Sequence, residues 1–253
     1  KMRNIRITVQ YEGTRYKGWQ RQVSTEQTIQ GKLESILSRQ FERKIEIDGS
    51  GRTDGGVHAR GQVANFRLKE EETELFHQNM EELTALLNGY LPEDIAVLGA
   101  ELASDRFHSR LNAVSKTYKY RIWNSPVPNV FDRKYVWQVK EPLDVQAMER
   151  AAGYLLGEHD FAGFCGNPRM KESTVRKIHE IRIEKNGPEI DLIYTGNGFL
   201  QNMVRIISGT LVETGLKERR PEEIEEILES KDRKKAGAKA PAQGLILWEV
   251  KYD

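Results

Sequence analysis

Residues Gly49-Ser50-Gly51-Arg52-Thr53-Asp54-Gly55-Gly56-Val57-His58-Ala59-Arg60-Gly61-Gln62 carry the sharpest chemical signal in the chain. One carboxylate, Asp54, stands among five glycines, with Arg52 two residues before it and His58 four after. Glycine opens backbone conformations that other residues avoid and lets a ligand come close. A strand-to-strand connection needs only about two to five residues. A longer Gly-rich one bearing Asp and Arg suggests a loop that presents a charge. The blander alternative is an aspartate that caps its own turn.

Other chemistries find less support. Gly51-Arg52-Thr53-Asp54 lacks the spacing and the Gly-Lys-Ser/Thr ending of a Walker loop, and no Gly-x-Gly-x-x-Gly opens a helix after a strand. The five histidines (58, 77, 108, 159, 179) are scattered, with no metal-ligand pair on one helix face. His58 with Asp54 would hold a metal only weakly; backbone support of the loop is the better reading of His58. No Ser-His-Asp order is compelling, although geometry can hide one.

Aromatic rings interleave with cations in Tyr11-Glu12-Gly13-Thr14-Arg15-Tyr16-Lys17-Gly18-Trp19-Gln20-Arg21-Gln22 and again in Phe107-His108-Ser109-Arg110 and Lys116-Thr117-Tyr118-Lys119-Tyr120-Arg121. Rings can stack on bases and cations can neutralise phosphates. Equally, the tyrosines can be core edges and the cations solvated. Strand alternation puts Tyr118 and Tyr120 on one face and Thr117, Lys119 and Arg121 on the other. Arg205 sits within the apolar run Met203-Val204-Arg205-Ile206-Ile207. A guanidinium there needs a partner, and Asp54 is a candidate.

The elements that must position these residues follow from periodicity. Ile5, Ile7, Val9 and Tyr11 alternate as in a half-buried strand. Residues 25–41 gather Ile29, Leu33, Ile36, Leu37 and Phe41 on one helical face. Strands are expected at 44–48 and 62–68, joined through the Gly-rich loop, then a helix over 73–88 and a strand over 94–102. The order β-α-β-β-α-β is a ferredoxin-like arrangement. It recurs as a strand at 114–123, a helix at 144–156, strands at 174–185 and 189–196 about a tight Asn186-Gly187-Pro188 turn, a helix at 200–214, a short inserted helix at 221–229 and a strand at 245–252. The expected fold is therefore α+β, two ferredoxin-like halves (2–105 and 106–253) with antiparallel sheets joined around a central basic cleft.

The net charge of +1 hides an uneven distribution. Residues 1–69 carry 14 Lys/Arg against 7 Asp/Glu, residues 70–105 none against 10, and residues 106–140 carry 8 against 1. Two basic segments around an acidic one suggest a polyanion-binding face with an acidic far side; ordinary solvated surface explains the counts as well. The basic run Lys231-Asp232-Arg233-Lys234-Lys235 and its continuation to Lys239 read as a mobile loop near RNA or as a solvated linker. The single cysteine, Cys165, rules out an internal disulfide and reads as a small half-buried hydrophobe. No apolar run of about 18 residues suggests a membrane span, no signal peptide is visible, and a reducing cytoplasmic setting is expected.

Several of these motifs, taken in order, resemble the TruA-type tRNA pseudouridine synthases. They are Gly18-Trp19-Gln20-Arg21-Gln22, Gly51-Arg52-Thr53-Asp54-x-Gly56-Val57-His58-Ala59, Phe107-His108-x-Arg110, Lys116-x-Tyr118-x-Tyr120, Asn202-Met203-Val204-Arg205 and Ala240-Pro241-Ala242-x-Gly244-Leu245. The resemblance spans nearly the whole chain. It implies isomerisation of uridine to pseudouridine in the tRNA anticodon stem-loop, at positions 38, 39 and 40, by a homodimer that needs no cofactor or metal. Asp54 matches the family's catalytic aspartate and Tyr118 its active-site tyrosine, with Arg205 pairing Asp54. Lys17, Arg21, Arg52, His58, Arg60, Arg110 and Lys116 form the expected RNA-contacting set. Two positions depart from the pattern: Gly55 stands where Ala is usual, and Gly163 where Ser is usual. The alternative, from another class, is a non-catalytic RNA-binding or RNA-chaperone protein on the same scaffold. A metal-dependent nuclease using Asp54 and His58 is a third reading.

Overall fold

Alternation in the first ten residues after Lys1 gives a strand with one dry face: Ile5, Ile7 and Val9 are at most 1 % exposed. A computed structural model describes residues 1–77 and 79–253. In chain order its elements are β1 (Met2–Tyr11), α1 (Ile29–Gln40), β2 (Asp48–Gly49), β3 (His58–Lys69), α2 (Glu70–Glu74), α3 (Met80–Tyr90), β4 (Ile95–Ala103), β5 (Ala113–Asn124), β6 (Trp137–Val139), α4 (Val145–Gly153), β7 (Gly157–Asp160), β8 (Val175–Asn186), β9 (Glu189–Gly196), α5 (Met203–Gly215), α6 (Glu223–Ser230) and β10 (Leu245–Tyr252). The chain is a mixed α+β protein with largely antiparallel strand pairing. Its contacts divide it into two units, residues 1–114 with 247–253, and residues 115–246. No helix among the described residues is long and apolar enough to cross a membrane.

In the first unit the strand order is β4-β1-β3-β10, with β2 on β3. β1 runs antiparallel to both β3 and β4. Thr28 caps α1 by accepting the Gly31 N–H, and Leu33 and Leu37 are fully buried, each worth about 1.5–3 kcal/mol. Two expectations fail for identifiable reasons. The strand expected at 44–48 shrinks to the two residues of β2, because side chains of α1 take its backbone groups. Ser38 Oγ accepts the Ile45 N–H, Glu34 accepts the Ile47 N–H, and Gln30 donates to the Ile47 carbonyl. The helix expected over 73–88 is instead α2 and α3. His77 takes a positive φ of 49°, which a helix cannot contain, and Asn79 caps α3 through the Glu81 N–H. Gln78, inside that expected helix, lies outside the described residues.

The acidic stretch 70–105 is more engaged than its composition suggests. Glu70 pairs with Arg3, Glu72 with Arg43, Asp94 with Arg15 and Glu101 with Arg6, so four of its ten carboxylates meet cations of the same unit.

In the second unit the order is β5-β9-β8-β7, with β6 parallel to β5. β9 is buried on both faces: Ile190, Leu192 and Tyr194 are fully buried, and Asp191 and Ile193 between them are 4 % and 8 % exposed. The β8–β9 hairpin closes with Asn186 opposite Glu189, and Gly187 supplies the φ of +60° that the turn needs. Strands β6 and β7 were not expected; three and four residues are too short to show a period. Segment 231–241 is tied to α5 by hydrogen bonds rather than running as a free linker. Gly237 donates to Thr210 Oγ1, Ala238 donates to Glu213, and Ala240 exchanges backbone and side-chain hydrogen bonds with Arg205. A Cβ at Gly209 of α5 would overlap the Ala238 carbonyl, so glycine there lets this strap lie against the helix.

Candidate active site

The Asp54 loop is built from backbone outward. β1 ends at Tyr11, and the chain then runs through a tight segment, 12–28, before entering α1. That segment clamps the Gly-rich loop. The Trp19 N–H donates to the Thr53 carbonyl at 3.1 Å, and the Gly56 N–H donates to the Tyr16 carbonyl at 3.2 Å. Tyr11 Oη and Thr53 Oγ1 lie 2.7 Å apart. On the far side of Asp54, the Val57 N–H closes a turn onto the Asp54 carbonyl, with Gly56 at a φ of +83°. Ser50 and Gln62, both fully buried, meet at 2.5 Å below the loop's start. Two glycines make the approach possible. A Cβ at Gly13 would overlap the Val57 carbonyl, and one at Gly18, already at a φ of +95°, would lie 2.6 Å from the Thr53 carbonyl oxygen. Asp54 itself is half-buried. A carboxylate carried on a backbone held in this way needs little reorganisation of the loop when a ligand arrives.

The clamp has its own anchor, Asp94, just before β4. Tyr16 Oη donates to Asp94 Oδ1 at 2.6 Å, Arg15 Nε to Oδ2 at 2.7 Å, and the Glu12 N–H to the Asp94 carbonyl. Burial alone would raise this carboxyl, but the hydrogen bonds from Arg15 and Tyr16 and the Arg15 charge hold it below its ordinary value. The sign for stability follows. A lowered carboxyl contributes stability above its unfolded value and loses it as pH falls through the folded one. Asp94→Asn is therefore expected to cost about 1–2 kcal/mol at pH 7, with the gap in Tm to the parent closing below about pH 4. Thermal melts from pH 3 to 7 check this; a gap that is absent at pH 7, or that persists unchanged at pH 3, would contradict it.

The other sequence-selected residues are placed as follows. His58 is 5 % exposed, and its Nδ1 accepts the Gly13 N–H at 2.9 Å, so its imidazole braces the clamp from inside. Lys17 and Arg52 are exposed and in no ion pair among the described residues. Arg60 is exposed with its guanidinium 4.2 Å from the centre of the Trp248 ring, a cation–π contact. Arg21 bonds the buried Glu34 at 2.6 Å with half its side chain still in solvent. Arg110 is exposed on the segment after β4, where Ser109 donates to the Asp48 carbonyl and receives a hydrogen bond from Tyr252.

In the second unit, Tyr118 of β5 is 9 % exposed, faces Tyr194 across the ladder and meets Phe199 edge-on at 5.2 Å. Tyr120 is a core residue: it is fully buried, and its hydroxyl donates to the Pro241 carbonyl. Burial raises its phenol far above the usual value. The opposite face of β5 is polar and paired, with Thr117 on Thr195, Lys119 on Asp191, and Arg121 on Glu189 and Asp132. Lys116 is half-buried. Arg205, half-buried in the first turn of α5, donates from Nε to the Ala240 carbonyl at 2.8 Å. Sequence reasoning missed Tyr11, Tyr16 and Asp94 as supports. Asp94 carries no motif of its own; only its hydrogen bonds reveal it.

Comparison with known proteins decides the family. Residues 7–110 and 151–253 match the family described as tRNA pseudouridine synthase. The chain belongs to that family. It is 49 % identical to tRNA pseudouridine synthase A of Bacillus sp. strain KSM-64 over 251 residues, which is 99 % of this chain and all of that one. It is 45 % identical to tRNA pseudouridine synthase A of Brevibacillus brevis and 43 % identical to tRNA pseudouridine synthase A 2 of Bacillus cereus, with the same coverage. The family assigns the chain to the isomerases, and the TruA-type resemblance of its motifs stands.

For this tRNA pseudouridine synthase the two departures have different consequences. A Cβ at Gly55 would lie 3.6 Å from the Lys17 backbone and the Tyr16 carbonyl, an ordinary contact, and Gly55 is not at positive φ. Gly55→Ala is therefore expected to raise stability by about 0.4–1 kcal/mol through the unfolded state with activity retained; a fall in Tm would refute this. At Gly163 a Cβ would lie 3.0 Å from the Ile227 carbonyl of α6. In this chain α6 packs too close for a serine to enter without movement.

Proposed function

We propose that this enzyme isomerises uridine to pseudouridine in tRNA, at positions 38, 39 and 40 of the anticodon stem-loop. The observation that carries the reading is Asp54 on a loop clamped by backbone hydrogen bonds, in a chain of this family. The reaction breaks the N1–C1′ bond, turns the released uracil, and joins C5 to C1′. No electrons or outside atoms enter, so the chemistry itself calls for no cofactor. An ionised Asp54 beside the ribose can add to C1′ as a nucleophile or take the C2′ proton. In both routes it faces an electron-poor sugar like that in glycoside cleavage. Tyr118 would stack on the uracil and help remove the C5 proton, a contribution of about 10²–10⁴-fold. Arg205 would pair with Asp54 and orient it.

Lys17, Arg21, Arg52, Arg60, Arg110 and Lys116 would meet the RNA backbone or fill the space left by the extruded nucleotide, with His58 bracing the loop beneath. Extrusion costs a few kcal/mol, less in a loop or at a stem end, which favours an anticodon-arm target. The architectural counterpart is two ferredoxin-like halves around a central basic cleft, working as a cytoplasmic homodimer. The strand orders of the separate units and their antiparallel pairing support the ferredoxin-like part of that reading.

The test is tritium release from C5 of uridine-labelled anticodon stem-loop, with and without chelator. The synthase releases tritium in both. Binding without release supports a non-catalytic RNA-binding protein, and RNA cleavage that stops with chelator supports a nuclease.

A further inference from the structure

Residues 231–239 hold five cations and one acid, and the function above leaves them unused. Lys231 lies 3.7 Å from Asp160, and Arg233 donates to the Gly237 carbonyl. Lys234, Lys235 and Lys239 are exposed, and none of them is in an ion pair among the described residues. Their backbone is fixed. Asp232 accepts the Lys234 N–H, Arg219 donates to the Lys235 carbonyl, and Gly237 and Ala238 are tied to Thr210 and Glu213 of α5. Ala236 and Ala240, between and beside the lysines, are buried, at 9 % and 1 %. Glu213, which lies against the strap, is already bonded by Arg219 and by the Ala238 N–H.

A fixed strap with three free ammonium groups differs from a solvated charge run. Its backbone is already tied to α5, so only the lysine side chains pay an ordering cost when a polyanion docks. Its position also matters. Lys239 is followed by Ala240, whose N–H donates to the Arg205 carbonyl and whose carbonyl accepts from Arg205 Nε. Lys239 is thus one residue, a Cα–Cα step of about 3.8 Å, from the strap residue that bonds Arg205.

We infer that the strap 234–239 is a phosphate-binding ridge for the RNA substrate, placing Lys234, Lys235 and Lys239 on backbone phosphates near the target nucleotide. The inference rests on the proposed reading of Arg205 as an active-site group. Each neutralised phosphate steepens the salt dependence of binding by about 0.7–0.9 in log K against log salt.

The experiment is a salt titration of binding to an unmodified tRNA transcript. It compares the full chain with the triple variant Lys234→Ala/Lys235→Ala/Lys239→Ala, alongside KM and kcat. The ridge predicts a slope shallower by about 2–3 and a KM raised about tenfold at low salt. A control triple of exposed lysines elsewhere, Lys140→Ala/Lys185→Ala/Lys251→Ala, should leave the slope alone. An unchanged slope in the ridge variant overturns the inference, as does an equal change in the control. A loss of kcat with the slope intact also overturns it, since that marks a merely structural strap. If the alanine triple does not fold, the Lys→Gln triple is read the same way. Wild-type tritium release, run in parallel, separates the two ideas. Release with an unchanged slope sinks the ridge alone; a changed slope without any release leaves the ridge and sinks the synthase chemistry.

Discussion

Asp54→Asn should lower C5 tritium release by roughly 10⁴-fold or more, while binding of the same RNA changes by less than about threefold. The amide keeps the shape of the side chain but can neither add to C1′ nor accept a proton. The phosphate contacts that supply most of the affinity are untouched. The loop's backbone hydrogen bonds from Trp19 and Val57 do not use the carboxylate, so the variant should melt with the parent to within about 1 kcal/mol. Single-turnover assays with excess enzyme remove any binding contribution. Wild-type rates in Asp54→Asn, or in Asp54→Ala, would show that another group carries the chemistry.

The second large effect is predicted far from any reacting atom. Gly13→Ala places a methyl group into the Val57 carbonyl, and both residues are buried. Overpacking of this kind costs about 1–3 kcal/mol. Relief requires the 12–19 segment and the Asp54 loop to separate, which also breaks the Gly13–His58 hydrogen bond. A displacement of about 1 Å at a reacting group is enough to lower rate by about 10²-fold. The expected result is a lowered Tm and a kcat reduced by about that factor, with KM changed much less. Gly55→Ala is the internal comparison, since it adds the same methyl on the other side of the same clamp, where space exists. Equal behaviour of the two variants would mean that the clamp does not set the position of Asp54.

Which parts were legible in advance follows from where each signal lies. β1 and the β8–β9 hairpin turn declare themselves locally, through alternation and an Asn-Gly pair. The Asp54 loop is equally local: five glycines and one carboxylate in fourteen residues. What could not be read depends on partners distant in sequence. The segment 44–47 has strand-like residues, yet Ser38, Glu34 and Gln30 of α1 claim its backbone, and no pattern within the segment reveals that. The break between α2 and α3 turns on one left-handed residue, His77, of a type that helices ordinarily tolerate. Asp94 acts across some eighty residues of chain, through Arg15 and Tyr16. The strap at 231–241 looks like a linker by composition. Its order comes from Gly209, Thr210 and Glu213 on a helix, residues that matter only once the two segments are side by side.

The pairing of β10 with β3 has a temporal consequence. The first unit borrows residues 247–253, which a ribosome makes only after the entire second unit. Until then the edge of β3 that β10 covers is an open template for foreign strands. A nascent chain halted before residue 247 should therefore show a proteolytically sensitive amino-terminal portion that becomes resistant once those last seven residues have emerged.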